Sequence, residues 1–289
     1  MIIGQETNTV YFSDIVRNSP EFRATFKQIQ TILDKHQVSY RFLSSTKDIW
    51  CRDYMPIQIS EDKLIQFRYE PSYLENDLDL QSNPQDILKN NGLTAEISSI
   101  NLDGGNVVNW TDKAILTTRI FKENPNWNQS KLISELERLL NVQVLLIPDI
   151  TNDMTGHSDG HLRFINSNTV LVNELQNEFD YWKKGFDKMI KNSGLTFVEM
   201  PWFEHLDKKH KHTAVGCYVN YLEIGDLILF PIFEVSGNKD EQALNIIHSV
   251  FPERTIEPIN INEIGKYGGL LNCTTWTIKQ YAPQSSRRP

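Results

Sequence analysis

The chain has 289 residues and a formal net charge of −8, from 29 lysines and arginines against 37 aspartates and glutamates; a field of that sign repels phosphates and argues against nucleic acid or an anionic membrane as partner. Three scattered cysteines without a C-x-x-C pair exclude a disulfide scaffold, and no window reaches the roughly 18 to 20 apolar residues of a membrane span. With no basic and then apolar opening segment, the expectation is a cytoplasmic protein with reduced thiols, and the acidic balance suits a small cationic partner.

Elements of both kinds alternate from the start. Residues 9–12 read as a strand, Ser19 and Pro20 as a helix cap and first helical position, and Phe22, Phe26, Ile29, Ile32 and Leu33 as the apolar side of the helix that follows. Strands are expected at 40–43, 64–67, 98–102 and 113–118, with a short helix over 84–91. A stronger helix spans 128–140, with Ile133, Leu136, Leu139 and Leu140 on its apolar side, and leads into the β-branched run 142–147. Paired strands at 215–222 and 227–231, a helix over 240–248 and a last strand at 274–278 complete the pattern.

No linker rich in Pro, Gly and Ser divides the chain, so residues 1–289 are read as a single catalytic domain of the α/β class. Strand, helix and strand-pair units recur about five times, as radial repetition would require. Periodicity alone leaves an ordinary mixed three-layer sheet equally open. No G-x-G-x-x-G and no P-loop is present, which counts against the common nucleotide sites.

Cys273 lies close to the C-terminal end in a polar turn led by Gly268 and Gly269, an unusual place for a packing cysteine. A nucleophilic thiol needs an acid/base partner, and His157 offers one. Asp159, two residues on, would share its side in an extended segment. Asp53 and Asp103 add carboxylates beside short turns, and paired carboxylates suit the rigid N–H fork of a guanidinium. Each residue alone also has a plain structural use, as core thiol or turn cap. His157, Asp159 and His161 form an H-x-D-x-H cluster that a metal hydrolase would use. Cys51 and Cys217 read as packing residues.

Six segments occur together in order: Trp50-x-Arg52-Asp53-x-x-Pro56, Asp103-Gly104-Gly105-Asn106, Gly156-His157-x-Asp159-x-x-x-Arg163-Phe164, Tyr218-x-Asn220, Phe251-Pro252, and Gly268-Gly269-x-x-Asn272-Cys273-x-Thr275. In this the chain resembles the agmatine deiminases and bacterial peptidylarginine deiminases of the guanidine-modifying, pentein superfamily. The resemblance implies a five-bladed α/β propeller of ββαβ-type units around a central pocket. It also implies hydrolytic deimination of an agmatine-like guanidino compound, giving a ureido product and ammonia through a covalent cysteine amidino-thioether.

By the same resemblance Cys273 is the nucleophile, His157 the general acid/base, and Asp159 and Asp53 the carboxylates that grip the guanidinium. Asp103, Trp50, Arg163, Asn220 and Asn106 become substrate-binding candidates, with Asp103 standing where agmatine deiminases carry a glutamate. The chain departs from the pattern at Asn272, where those enzymes have histidine, and in its glycine pairs where they have triplets. No metal or organic cofactor is expected, and exposed sheet edges would allow a homodimer. Alternative readings are an amidinotransferase, a deiminase of arginine or peptidyl-arginine, the metal hydrolase, and a non-catalytic guanidine-binding module.

Overall fold

The computed structural model describes residues 1–280 apart from Asn152 and Lys211; residues 281–289 of the expected domain lie outside the described part. Five three-stranded sheets share one pairing pattern among the described residues. β1 (Thr9–Ser13) pairs in parallel with β2 (Ser39–Leu43). The second sheet joins β3 (Ile57–Ser60) antiparallel to β4 (Lys63–Arg68), and β4 parallel to β5 (Glu96–Asn101). The third repeats this with β6 (Val108–Asn109), β7 (Lys113–Thr117) and β8 (Gln143–Ile147), and the fourth with β9 (Leu162–Asn166), β10 (Thr169–Asn173) and β11 (Thr196–Met200). In the fifth, β12 (Leu222–Ile224), β13 (Leu227–Ile232) and β14 (Thr255–Asn260) follow suit. The last strand, β15 (Trp276–Ile278), then returns to pair antiparallel with β1, so the first sheet is closed by the end of the chain.

Parallel partners need a crossover, and each middle strand reaches its parallel neighbour through helix. The first crossover helix, Pro20–Lys35, begins as its sequence dictates: the Ser19 hydroxyl accepts from the Glu21 N–H, with proline at the first position. It buries Phe22, Phe26, Ile29 and Leu33 together with Val10 and Phe12 of β1. The third, Gln129–Leu140, is capped by Asn128 and buries Leu132, Leu136, Leu139 and Leu140. Ile133, expected on that stripe, is half-buried and packs at the edge of the cluster, while Leu132, four residues before Leu136, is fully buried in the same cluster as Ala114 and Leu116 of β7.

The strand expected over 215–222 starts only at Leu222. Gly216 adopts φ +107° with the Phe203 carbonyl oxygen 2.0 Å from where a Cβ would stand, which breaks extension and turns the segment. The consequence is functional, because that turn carries Asn220. No helix among the described residues is long and apolar enough to cross a membrane.

The antiparallel edge strand of every sheet contributes to one shared cavity, through Gln58 on β3, Asn109 on β6, Arg163 on β9, Glu223 on β12 and Thr277 on β15. The segments entering those strands carry Asp53, Asp103, His157 with Asp159, Asn220 and Cys273, each within five residues of its strand. Five chain-distant turns thus lead into the strands that wall one cavity.

Candidate active site

Asp53 lies in a one-turn helix, Cys51–Tyr54, which begins after Trp50 and ends before Pro56. Its Oδ1 accepts a hydrogen bond from the Gly105 N–H at 3.1 Å and stands 3.5 Å from Nδ1 of His157. The other imidazole nitrogen, Nε2, lies 2.8 Å from Oδ2 of Asp103, and the Tyr73 hydroxyl donates to that same oxygen at 2.9 Å. His157 is therefore clasped between two carboxylates, with the Tyr73 ring set edge-on to it at 6.1 Å.

The electrostatics follow from that clasp. Burial by itself would lower the pKa of His157, but Asp53 and the hydrogen bond to Asp103 outweigh it and raise the value to about 10. Burial drives Asp53 well above the usual carboxylate range, against the opposing pull of His157. Gly105 permits this close packing: a Cβ there would fall 2.5 Å from Oδ1 of Asp53 and 2.6 Å from Nδ1 of His157.

Cys273 occupies the turn before β15. Its Sγ stands 3.3 Å from the Asn220 amide nitrogen and 3.8 Å from Oδ2 of Asp159. Asn220 also accepts, through Oδ1, from the backbone N–H groups of Asn272 at 3.1 Å and Cys273 at 3.4 Å, so one amide side chain holds the whole turn. Asn272 in turn donates to Oδ2 of Asp159 at 2.6 Å. The thiol is held well above its ordinary pKa, first by burial and then by Asp159 and Asp53. Cys51 and Cys217 are buried, and burial above all pushes each up to about 12; Cys51 contacts the Tyr54 hydroxyl and Cys217 the Gly160 carbonyl.

A neutral thiol thus faces an acidic pocket, and a charged imidazole stands ready to donate a proton. Among the described residues no three His, Cys, Asp or Glu side chains are grouped to hold a metal ion. His161, the third member of the H-x-D-x-H cluster, turns away: its Nε2 lies 3.5 Å from Asp153 and its ring packs on Trp182 at 5.6 Å. The metal-hydrolase expectation fails here because residue 161 follows the one-turn 3₁₀ segment Ser158–Gly160, which rotates it out of the site.

The profile of the Porphyromonas-type peptidyl-arginine deiminase family matches residues 9–278. The chain belongs to that family. It is 25% identical to the agmatine deiminase of Ectopseudomonas mendocina over 68% of this chain and 59% of that protein. Its fold is shared with C. jejuni agmatine deiminase, solved with substrate bound, at a TM-score of 0.77 and 16% identity, covering 97% of this chain and 96% of that one. DDAH from Pseudomonas aeruginosa, solved with citrulline, superimposes at a TM-score of 0.58 with 10% identity, covering 94% and 99% of the two chains. The α/β fold of several small sheets is thus that of the pentein superfamily.

Within this family member, several expected substrate contacts prove to have other engagements. Asn106 is buried with its side-chain oxygen accepting from the Thr117 N–H at 2.9 Å, so it ties the Gly-Gly turn to β7 and does not face the pocket. Arg163 donates to the Tyr221 carbonyl at 3.0 Å and lies over the Tyr221 ring, because alternation along β9 aims it into the cavity shared by the five sheets. Asp103 is taken up by His157 and Tyr73. Asn220 holds the turn that carries Cys273. Trp50 packs against Gly269 beside Cys273, at the edge of the site.

Two contributors were not singled out from the chain. Tyr73 sits in the turn-like stretch after β4, where nothing in its neighbours marks it. Asn272 was visible as a departure from the family pattern; its bond to Asp159 gives that departure a positioning use.

Proposed function

We propose that this protein hydrolytically deiminates a small guanidino compound, of agmatine type, releasing ammonia and a ureido product. The supporting observation is the gathering of Cys273, Asp159, Asp53 and His157 from three distant stretches, with Asp159 beside the thiol and Asp53 and Asp103 on either side of the imidazole. In this reading the five sheets are the blades of one propeller, closed by β15, and residues 1–289 work as one catalytic domain.

The guanidinium binds against Asp53 and Asp159, where its positive charge offsets the carboxylates that hold the thiol neutral. The cation thus lowers the thiol pKa on arrival, and the proton leaves toward solvent as the thiolate forms. Sulfur attacks the central carbon, giving a tetrahedral adduct. His157 donates its proton to one amino group, the C–N bond breaks, and ammonia departs, leaving a cationic amidino-thioether on Cys273. Water then enters, His157 takes a proton from it, and oxygen adds to the same carbon. Collapse expels the thiolate and frees the ureido product. Fixed carboxylates keep the charge where bond cleavage needs it, and positioning removes part of the entropic barrier.

The test is an ammonia-release assay over agmatine, arginine, arginyl peptides and other guanidino or amidino compounds. Turnover of at least one in water, lost in Cys273→Ala, sustains the proposal. Release only when an added amine is consumed would make the enzyme an amidinotransferase. Stoichiometric guanidine binding with no ammonia would make it a binding module.

A further inference from the structure

Behind the site lies a cavity of about 80 Å³, walled by the antiparallel edge strands of all five sheets and by the N-terminal segment Met1–Gly4. Cys273, His157, Asp53 and Asp103 do not line it, but their neighbours Arg52, Asn272 and Gly104 do, along with Asp159. The cavity therefore adjoins the thiol site and shares Asp159 with it.

Two guanidinium groups face this space, Arg52 and Arg163. Arg163 is braced by the Tyr221 carbonyl and ring. Arg52 has one weak tether, from Nε to the Asn272 carbonyl at 3.5 Å, and its two terminal nitrogens make no hydrogen bond to any described residue. Of the nearby carboxylates, Glu223 pairs with Arg254 at 3.0 Å, while Asp159, held by the neutral Asn272 amide at 2.6 Å, offsets only part of the positive charge. Burial, followed by repulsion from Arg163, lowers the Arg52 pKa to about 10 against the opposing pull of Asp159 and Asp53. Two guanidinium groups in a confined space, with donors unspent and one unpaired carboxylate in the wall, leave room for a further counter-charge.

We propose that this cavity binds one small monovalent anion, of halide or nitrate size, held between Arg52 and Arg163. The ligand would sit directly behind the nucleophile turn, since the Arg52 backbone N–H donates to the Cys273 carbonyl at 3.1 Å. This site is independent of the substrate reading, and its test does not use turnover.

Thermal unfolding at constant ionic strength, exchanging a bulky sulfonate for bromide, chloride or nitrate, should show a saturable rise in Tm of about 3 °C at concentrations well above Kd. Arg163→Gln should lose most of that response. A crystal grown in bromide should show an anomalous peak between the two guanidinium groups, a readout that survives if the variant does not fold. An equal rise with the sulfonate, a response that never saturates, or a bromide crystal without that peak would overturn the proposal.

Discussion

Arg52 and Asp53 are adjacent in the chain and belong to opposite worlds. Asp53 joins His157, Asp103 and Asp159 in a carboxylate-rich pocket with a neutral thiol, whereas Arg52 joins Arg163 in a cation-lined cavity behind it. The same alternation separates Asn272 from Cys273 and Gly104 from Gly105. Except at Asp159, which borders both, neighbouring residues thus divide a carboxylate-rich site from the cavity with two guanidinium groups. Neither region could be relocated without the other, because the turns at Arg52 and Asp53, Gly104 and Gly105, and Asn272 and Cys273 each supply both.

The comparison can be broken at its centre first. Cys273→Ala removes the nucleophile from the acidic side and should cut ammonia release by about 10⁴-fold or more, measured in the guanidine screen. Gly105→Ala keeps every reacting group in the chain but drives a methyl into both Asp53 and His157, which must shift; turnover should fall about 10²-fold, with the loss mainly in kcat. Asp103→Asn removes one of the three carboxylate charges that raise His157, so the imidazole pKa should drop from about 10 and the alkaline limb of the rate profile should move to lower pH. A profile unchanged by that substitution would mean that Asp103 does not position the imidazole.

The clasp around His157 also has a stability signature. Its folded pKa is raised above the ordinary histidine value of 6.5, so its contribution is fully present below about pH 6.5 and is lost as pH rises toward 10. Wild-type Tm should therefore exceed that of His157→Gln by a margin that shrinks across this window. Away from both regions, Leu136→Ala opens the core under the third sheet and should cost about 2–5 kcal/mol in denaturant unfolding while turnover per folded molecule stays unchanged.

Much of the fold was readable from local patterns. The cap at Ser19 with proline at the first helical position marks a helix start because a side-chain acceptor there meets an orphan N–H group, and the structure adds the same device at Asn83 and Asn128. The apolar stripes of the helices Pro20–Lys35 and Gln129–Leu140 follow from period, with Leu132 more deeply buried than Ile133. The run ending at Leu222 misled because Val, Tyr and Leu favour strands, while the decisive contact, Phe203 against Gly216, is made by a segment thirteen residues upstream.

For the active site, residue identities along the chain named the chemistry: a thiol in a polar turn, a histidine and a set of carboxylates beside short glycine turns. Which residues touch was decided by tertiary structure. Asp103 faces the imidazole and Asn220 the thiol, while Arg163 looks into the opposite cavity and His161 leaves the site altogether. The reason is geometric: a side chain's direction within a one-turn bend depends on how its flanking strand is docked, and five such strands from distant parts of the chain had to be assembled before any of those directions converged.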